Sequence, residues 1–135
     1  MAYKLSTRSI INRQGVNPKL IAICDEAIRL TPIDFGIPSS GGYRTAEQQY
    51  ALFCDGKSKA DGYDKKSYHQ TGNALDFYAF VDGKASWEEG HLAVVAATFL
   101  QAAIKMDIKI QWGGLWKGFR DMPHIQLMET GDGSS

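Results

Sequence analysis

The chain has 135 residues, 44% hydrophobic and 22% charged, with fifteen basic and fifteen acidic side chains and no net charge. That length and composition fit one soluble globular domain that can bury a core without disulfides, and the charge balance excludes a nucleic-acid binder working by general phosphate attraction. Cys24 and Cys54 lack the spacing of a zinc ribbon or a disulfide framework, and no run approaches the roughly 18 apolar residues of a membrane span.

The opening MAYKLSTRSIINRQG has no apolar segment like that of a secretory signal, so synthesis and folding in a cytoplasm are expected. NPKLIAICDEAIRL predicts a helix. Asn17 suits the N-cap, Pro18 the first helical position, and Leu20, Ile23, Cys24, Ala27 and Ile28 form an apolar stripe. DFGIP reads as a short strand ended by Pro38, and SSGGYR as a glycine-rich turn. TAEQQYALFCDG predicts a second helix, with Thr45 and Gln48 at capping-box spacing and Gly56 as terminator. Residues 57–67 are polar and aperiodic, hence a loop. ALDFYAFVDGK alternates as a strand does, with Asp82-Gly83 as its turn. Ser86 and Glu89 repeat the capping-box spacing and open a long helix to about Met106, carrying Leu92, Val95, Ala96, Phe99, Leu100 and Ala103. IKIQW is a strand, GGLWKGFRDMP a loop and HIQLM the last strand, and residues 129–135 are expected to be a disordered tail. This order predicts an α+β domain over 1–135, a small antiparallel sheet packed with helices.

Chemistry concentrates in two stretches. In SYHQTGNALDF, six residues separate His69 from Asp76. A helix would set their Cα atoms about 10.5 Å apart, and an extended chain would set them roughly 20 Å apart or more. Both are too far for two short side chains sharing one ion at about 2 Å. The segment can supply two metal ligands only by turning back, and Thr71-Gly72-Asn73 suits such a turn. Asp76 would then open the strand DFYAF. On this stretch alone, a solvated histidine and a turn aspartate remain the simpler alternative.

In RDMPHIQL, Asp121 precedes His124 by three residues, and Pro123 rules out a helix interior. His124 therefore starts a strand and can face the same cavity as Asp76, although a plain surface turn also fits. His91, on the long helix, reads as a surface or packing residue. Two histidines and a carboxylate form a recognised catalytic zinc set with a fourth position for water. Asp121 is the candidate proton acceptor outside the ligand set. Arg44 stands at a helix start, where the dipole disfavours a cation, and is a candidate for holding a substrate carbonyl or carboxylate.

GYRTAEQQ, SYHQTGNALDF and WGGLWKGFRDMPHIQL resemble the signature regions of the LAS-type zinc peptidases, the superfamily of D-Ala-D-Ala carboxypeptidases and VanY-like enzymes. The pattern S-x-H-x-x-G-x-A-x-D, followed by an acidic residue three positions before His, is met by Ser67, His69, Gly72, Ala74, Asp76, Asp121 and His124. From Lys4 to Leu127 the chain is similar to the phage L-alanyl-D-glutamate endopeptidase (endolysin) branch. The resemblance implies a hedgehog/D,D-peptidase-like fold and one zinc ion on His69, Asp76 and His124. It implies Asp121 as general base and Arg44 as the substrate-steadying cation. Ser67, Trp112 and Trp116 are candidates for substrate binding, with Phe119 beside them, and packing is the alternative for the aromatic residues. The implied substrate is the peptidoglycan stem peptide. The expected partners include no nucleic acid, membrane or second copy. The expected setting is the host cytoplasm, followed by release to the wall through a holin-type pore. No separate wall-binding domain is expected. One departure is Leu115, where many members of that branch carry aspartate, which bears on fine specificity. Alternatives are a D,D-carboxypeptidase or dipeptidase of the same fold, or a non-catalytic zinc-binding phage recognition module.

Overall fold

In the computed structural model, residues 2–128 are described; the tail expected over 129–135 lies outside them. A short helix α1 (Thr7–Asn12) comes first, capped by Ser6, whose hydroxyl accepts from the Ser9 amide. Its single turn and a half carries little periodicity, and it falls in the segment given no element from sequence. Helix α2 (Pro18–Leu30) starts as expected, with Asn17 accepting from the Lys19 amide and Pro18 at its first turn. Strand β1 (Asp34–Gly36) follows, then α3 (Ala46–Cys54), where both halves of the Thr45–Gln48 capping box form.

The stretch 74–81 is not one strand. β2 (Ala74–Asp76) and β3 (Tyr78–Val81) belong to different sheets. Phe77 is the pivot: its amide donates to the Pro123 carbonyl at 2.9 Å, and its fully buried ring stacks on Phe99 at 5.2 Å. Asp76 therefore closes a strand and does not open one. β4 (Lys84–Ser86) turns back on β3 through Asp82 and Gly83, both at positive φ. Helix α4 (Glu89–Lys105) begins without the expected capping box: its N-cap is Glu88, with no side-chain cap bond. Ser86 instead ends β4, and its hydroxyl bonds His91 Nδ1 at 2.7 Å. That contact makes His91 a packing residue.

β5 (Ile110–Trp112) and β6 (His124–Leu127) complete two antiparallel three-stranded sheets, ordered β1-β3-β4 and β2-β6-β5. Both pack with α2 and α4 around one core that includes Leu20, Ile23, Phe35, Leu75, Phe77, Phe99 and Ile125. Phe99 touches Phe35 and Phe77, each at 5.2 Å between ring centres, so α4 reaches β1 and the pivot between the two sheets through one side chain.

Candidate metal centre

The register of β2 on β6 sets Asp76 directly opposite His124. Cross-strand partners lie about 4.5–5.5 Å apart at Cβ, so two residues distant in sequence share a site without any loop to position them. His69 arrives from the other side. It lies in a 3₁₀ turn (Tyr68–Thr71) begun by Ser67, whose hydroxyl accepts from the His69 amide at 3.2 Å while Gln70 Oε1 accepts from the Ser67 amide. Gly72, at φ +75°, then reverses the chain into β2. A Cβ there would lie 2.6 Å from the Gly15 carbonyl oxygen, so both the backbone angle and the space call for glycine. This is the reversal that Thr71-Gly72-Asn73 was expected to make.

The glycine-rich turn 39–44 braces both ligands through its backbone. The Gly41 carbonyl accepts from the Asp76 amide at 2.8 Å, and the Gly42 carbonyl accepts from His69 Nδ1 at 2.9 Å. A carbonyl can only accept, so His69 carries its proton on Nδ1 and turns the Nε2 lone pair inward. His124 is fixed in the opposite sense: Nε2–H donates to Gln126 Oε1 at 2.8 Å, leaving the Nδ1 lone pair inward. Gln126 was not singled out from sequence. Its position two residues after His124 on a strand, hence on the same face, was the available signal.

Three acceptor atoms thus converge. His69 Nε2 and Asp76 Oδ1 are 3.2 Å apart, His124 Nδ1 and Asp76 Oδ1 3.0 Å, and the two ring nitrogens 3.3 Å. A tetrahedral ion with bonds of about 2.0–2.1 Å holds its ligand atoms about 3.3 Å apart. Two imidazole lone pairs and a carboxylate repel one another unless a cation sits among them. Donor set, spacing and outer hydrogen bonds all fit a bound metal, and His69, Asp76 and His124 form the group able to hold it.

A proton on His124 can stand in for that cation. Burial would raise the Asp76 pKa, but His69 and His124 outweigh it and hold the carboxyl far below its usual range. Burial alone would lower His124, and its bond to Asp76 reverses that and raises it. Asp121 is raised, first by burial and then by the charge of Asp76. Its Oδ2 is 3.7 Å from His124 Nδ1, so it borders the ligand set without completing the triangle. The Gly113 carbonyl accepts from the Asp121 amide at 3.0 Å, and a Cβ on Gly113 would collide with the Asp121 carbonyl oxygen. Gly113 therefore positions Asp121.

Arg44 is buried, and its guanidinium is engaged on three sides: Nε to the Ser40 carbonyl (2.8 Å), Nη1 to Gln49 Oε1 (2.9 Å) and Nη2 to Asp76 Oδ2 (3.1 Å). It orients the ligand carboxylate as well as facing the site. Fully buried Gln49 holds it, a role that no spacing in the sequence marks.

A cavity of 560 Å³ opens over these groups, lined by Arg44, His69, Asp76, Asp121 and His124 together with Ser67 and Trp116. Trp116 lies 5.2 Å from the His124 ring, centre to centre. Trp112 does not line the cavity. Its indole N–H donates to the Met122 carbonyl at 2.6 Å and its ring packs on the core, so packing is its structural role. Ser67 lines the wall but has its hydroxyl occupied by the turn it caps. Leu115 is 72% exposed and outside the lining.

Comparison with known proteins bears on this geometry. The family model described as phage L-alanyl-D-glutamate peptidase matches residues 1–134. The L-alanyl-D-glutamate peptidase of Escherichia phage T5 is 33% identical over 141 aligned positions, covering 95% of this chain and all of that one. The enzyme of the same name from Listeria phage A118 is 34% identical over 96 residues, 67% of this chain but 30% of the longer relative. Among solved structures, the L-Ala D-Glu endopeptidase ChiX of Serratia marcescens superposes with a TM-score of 0.81 at 33% identity, covering 93% of this chain and 90% of ChiX.

Proposed function

Because the chain belongs to the phage L-alanyl-D-glutamate peptidase family, we propose that it hydrolyses the amide between L-alanine and D-glutamate in the peptidoglycan stem peptide. In this reading one zinc ion is held by His69, Asp76 and His124. The single observation that carries the reading is the convergence of three acceptor atoms 3.0–3.3 Å apart, with both outer ring nitrogens already donating to oxygen.

Zinc bound there supplies Lewis acidity toward the scissile carbonyl and brings the pKa of water to about 7. The chain's own groups do the rest. Asp121 Oδ2, beside the ligand triangle, takes the proton of the attacking water and returns it to the departing D-glutamate nitrogen. Arg44 keeps Asp76 Oδ1 aimed at the ligand position by binding Oδ2. Among the described residues three of its N–H groups are engaged, out of the five a guanidinium has, which leaves two for a substrate oxygen. Trp116 walls the cavity beside His124. The activity belongs, in this proposal, to lysis of a bacterial host, with the protein passing from cytoplasm to wall.

Digestion of purified peptidoglycan tests the bond assignment. Mass spectrometry of the fragments should find new amino-terminal D-glutamate. Release of free D-alanine would instead make the chain a D,D-carboxypeptidase.

A further inference from the structure

Although the chain is neutral, its charge is unevenly spread. Five of its ten lysines, Lys57, Lys59, Lys65, Lys66 and Lys117, line the one cavity that holds the ligand triad. The carboxylates on that lining, among the described residues, are Asp76 and Asp121, and Asp76 is already bound by Arg44. None of the five lysines forms an ion pair among the described residues. The acids of the same loop, Asp61 and Asp64, offset them only in part, two carboxylates against four lysines. Asp61 Oδ1 accepts from the backbone amides of Tyr63 and Lys65 at 3.0 and 2.9 Å, and neither Asp61 nor Asp64 lines the cavity.

The placement is two-sided. Four of the lysines come from the loop 57–67, and Lys117 comes from the facing loop between β5 and β6. Lys59 Nζ lies 5.2 Å from the centre of the Phe119 ring, so the two walls meet across the mouth. A cleft whose walls carry an excess of one sign of charge focuses its field and concentrates the opposite sign. We propose that this lysine rim is a carboxylate-binding subsite, selecting stem peptides whose acidic groups beside the scissile bond are free over those in which they are amidated. The proposal rests on the reading of the site as an L-alanyl-D-glutamate peptidase. D-glutamate joined onward through its γ-carboxyl keeps an α-carboxylate next to the amide being cut, and amidation removes that charge while hardly changing the shape.

Two stem peptides identical except for a free or amidated D-glutamate α-carboxyl give the test. Each is assayed for kcat/KM with wild type, with all five lysines changed to Gln, and with all five changed to Arg. The double variants Lys57→Gln/Lys59→Gln and Lys65→Gln/Lys66→Gln cover a quintuple variant that fails to fold. Wild type should prefer the free acid on the order of tenfold at low ionic strength, less at roughly 0.5 M salt. The Gln variant should lose that preference, each double variant should lose part of it, and the Arg variant should keep it. An unchanged preference in the Gln variants, with a native thermal transition, overturns the proposal. A second readout needs no cleavage: calorimetric binding of the acidic peptide that begins at D-glutamate. Lysine-dependent binding of that peptide with no cleavage of either substrate would contradict the assigned reaction and leave the subsite standing. Equal binding of poly(glycerol phosphate) would make the rim a phosphate-polymer site and overturn the carboxylate assignment.

Discussion

His124 is held at both ring nitrogens, by Gln126 outside and by the ligand triangle inside. Removing the outer partner frees the ring to rotate or change tautomer, so Gln126→Ala should weaken metal binding about ten- to a hundredfold, measured by competition with a chromophoric chelator. Asp121 makes the opposite case. It neighbours the ligands without being one of them, so Asp121→Asn should bind metal with near-wild-type affinity. It should also lose about a hundredfold or more in wall hydrolysis, read as release of soluble peptide. Hydrolysis at near-wild-type rate in that variant would remove Asp121 from the mechanism. At this scale the sequence was most legible where chemistry depends on side-chain type: the spacings of His69, Asp76, Asp121 and His124 already marked the groups that the fold gathers. It was silent where backbone atoms act, as with the Gly41 and Gly42 carbonyls. It misdirected at Trp112, because an aromatic residue beside a motif looks the same whether its ring faces the cleft or the core.

Turns and registers, more than helices, build the site. Gly72 and Gly83 are both at positive φ, yet only Gly72 has a neighbour in the path of a Cβ. Gly83→Ala should therefore cost only the left-handed backbone penalty, about 1–2 kcal/mol, and Gly72→Ala distinctly more. Urea unfolding measures both, and equal losses would mean that the close approach to Gly15 carries no weight. Helices α2 and α3 were legible because their caps are local: Asn17 and Thr45 do what their neighbours in sequence allow. The split of 74–81 was not, since the run of strand-favouring residues continues through Phe77 and the break comes from the distant Pro123 carbonyl and Phe99 ring. The Ser86–Glu89 spacing failed for a related reason. The Ser86 hydroxyl is taken by His91 and the Glu88 amide, so the helix starts two residues further on without it.

Across the whole molecule, α2 and α4 are tied at the surface by Glu26, which accepts from Arg29 Nη2 at 2.7 Å and from Lys105 Nζ at 2.6 Å. Those bonds hold the Glu26 carboxyl down to about 2, against 4.5 unperturbed. A depressed pKa means that the contribution is present above the unfolded value and is lost as pH falls from about 4.5 toward about 2. Glu26→Gln should therefore show a smaller drop in Tm between neutral pH and pH near 3 than wild type, by differential scanning calorimetry. The ligands come from the 3₁₀ turn, β2 and β6, so an ion on them joins elements separated by more than fifty residues of chain. An ion that binds only the folded state must raise Tm with its concentration. The most direct measurement is a zinc titration of chelator-stripped protein, followed by the rate of peptidoglycan hydrolysis at each step. The expected result is no hydrolysis when stripped and a linear return that ends at one ion per chain, with no return in His124→Ala. Full hydrolysis by the stripped protein, or an endpoint that His124→Ala leaves unchanged, would contradict a metal centre on His69, Asp76 and His124.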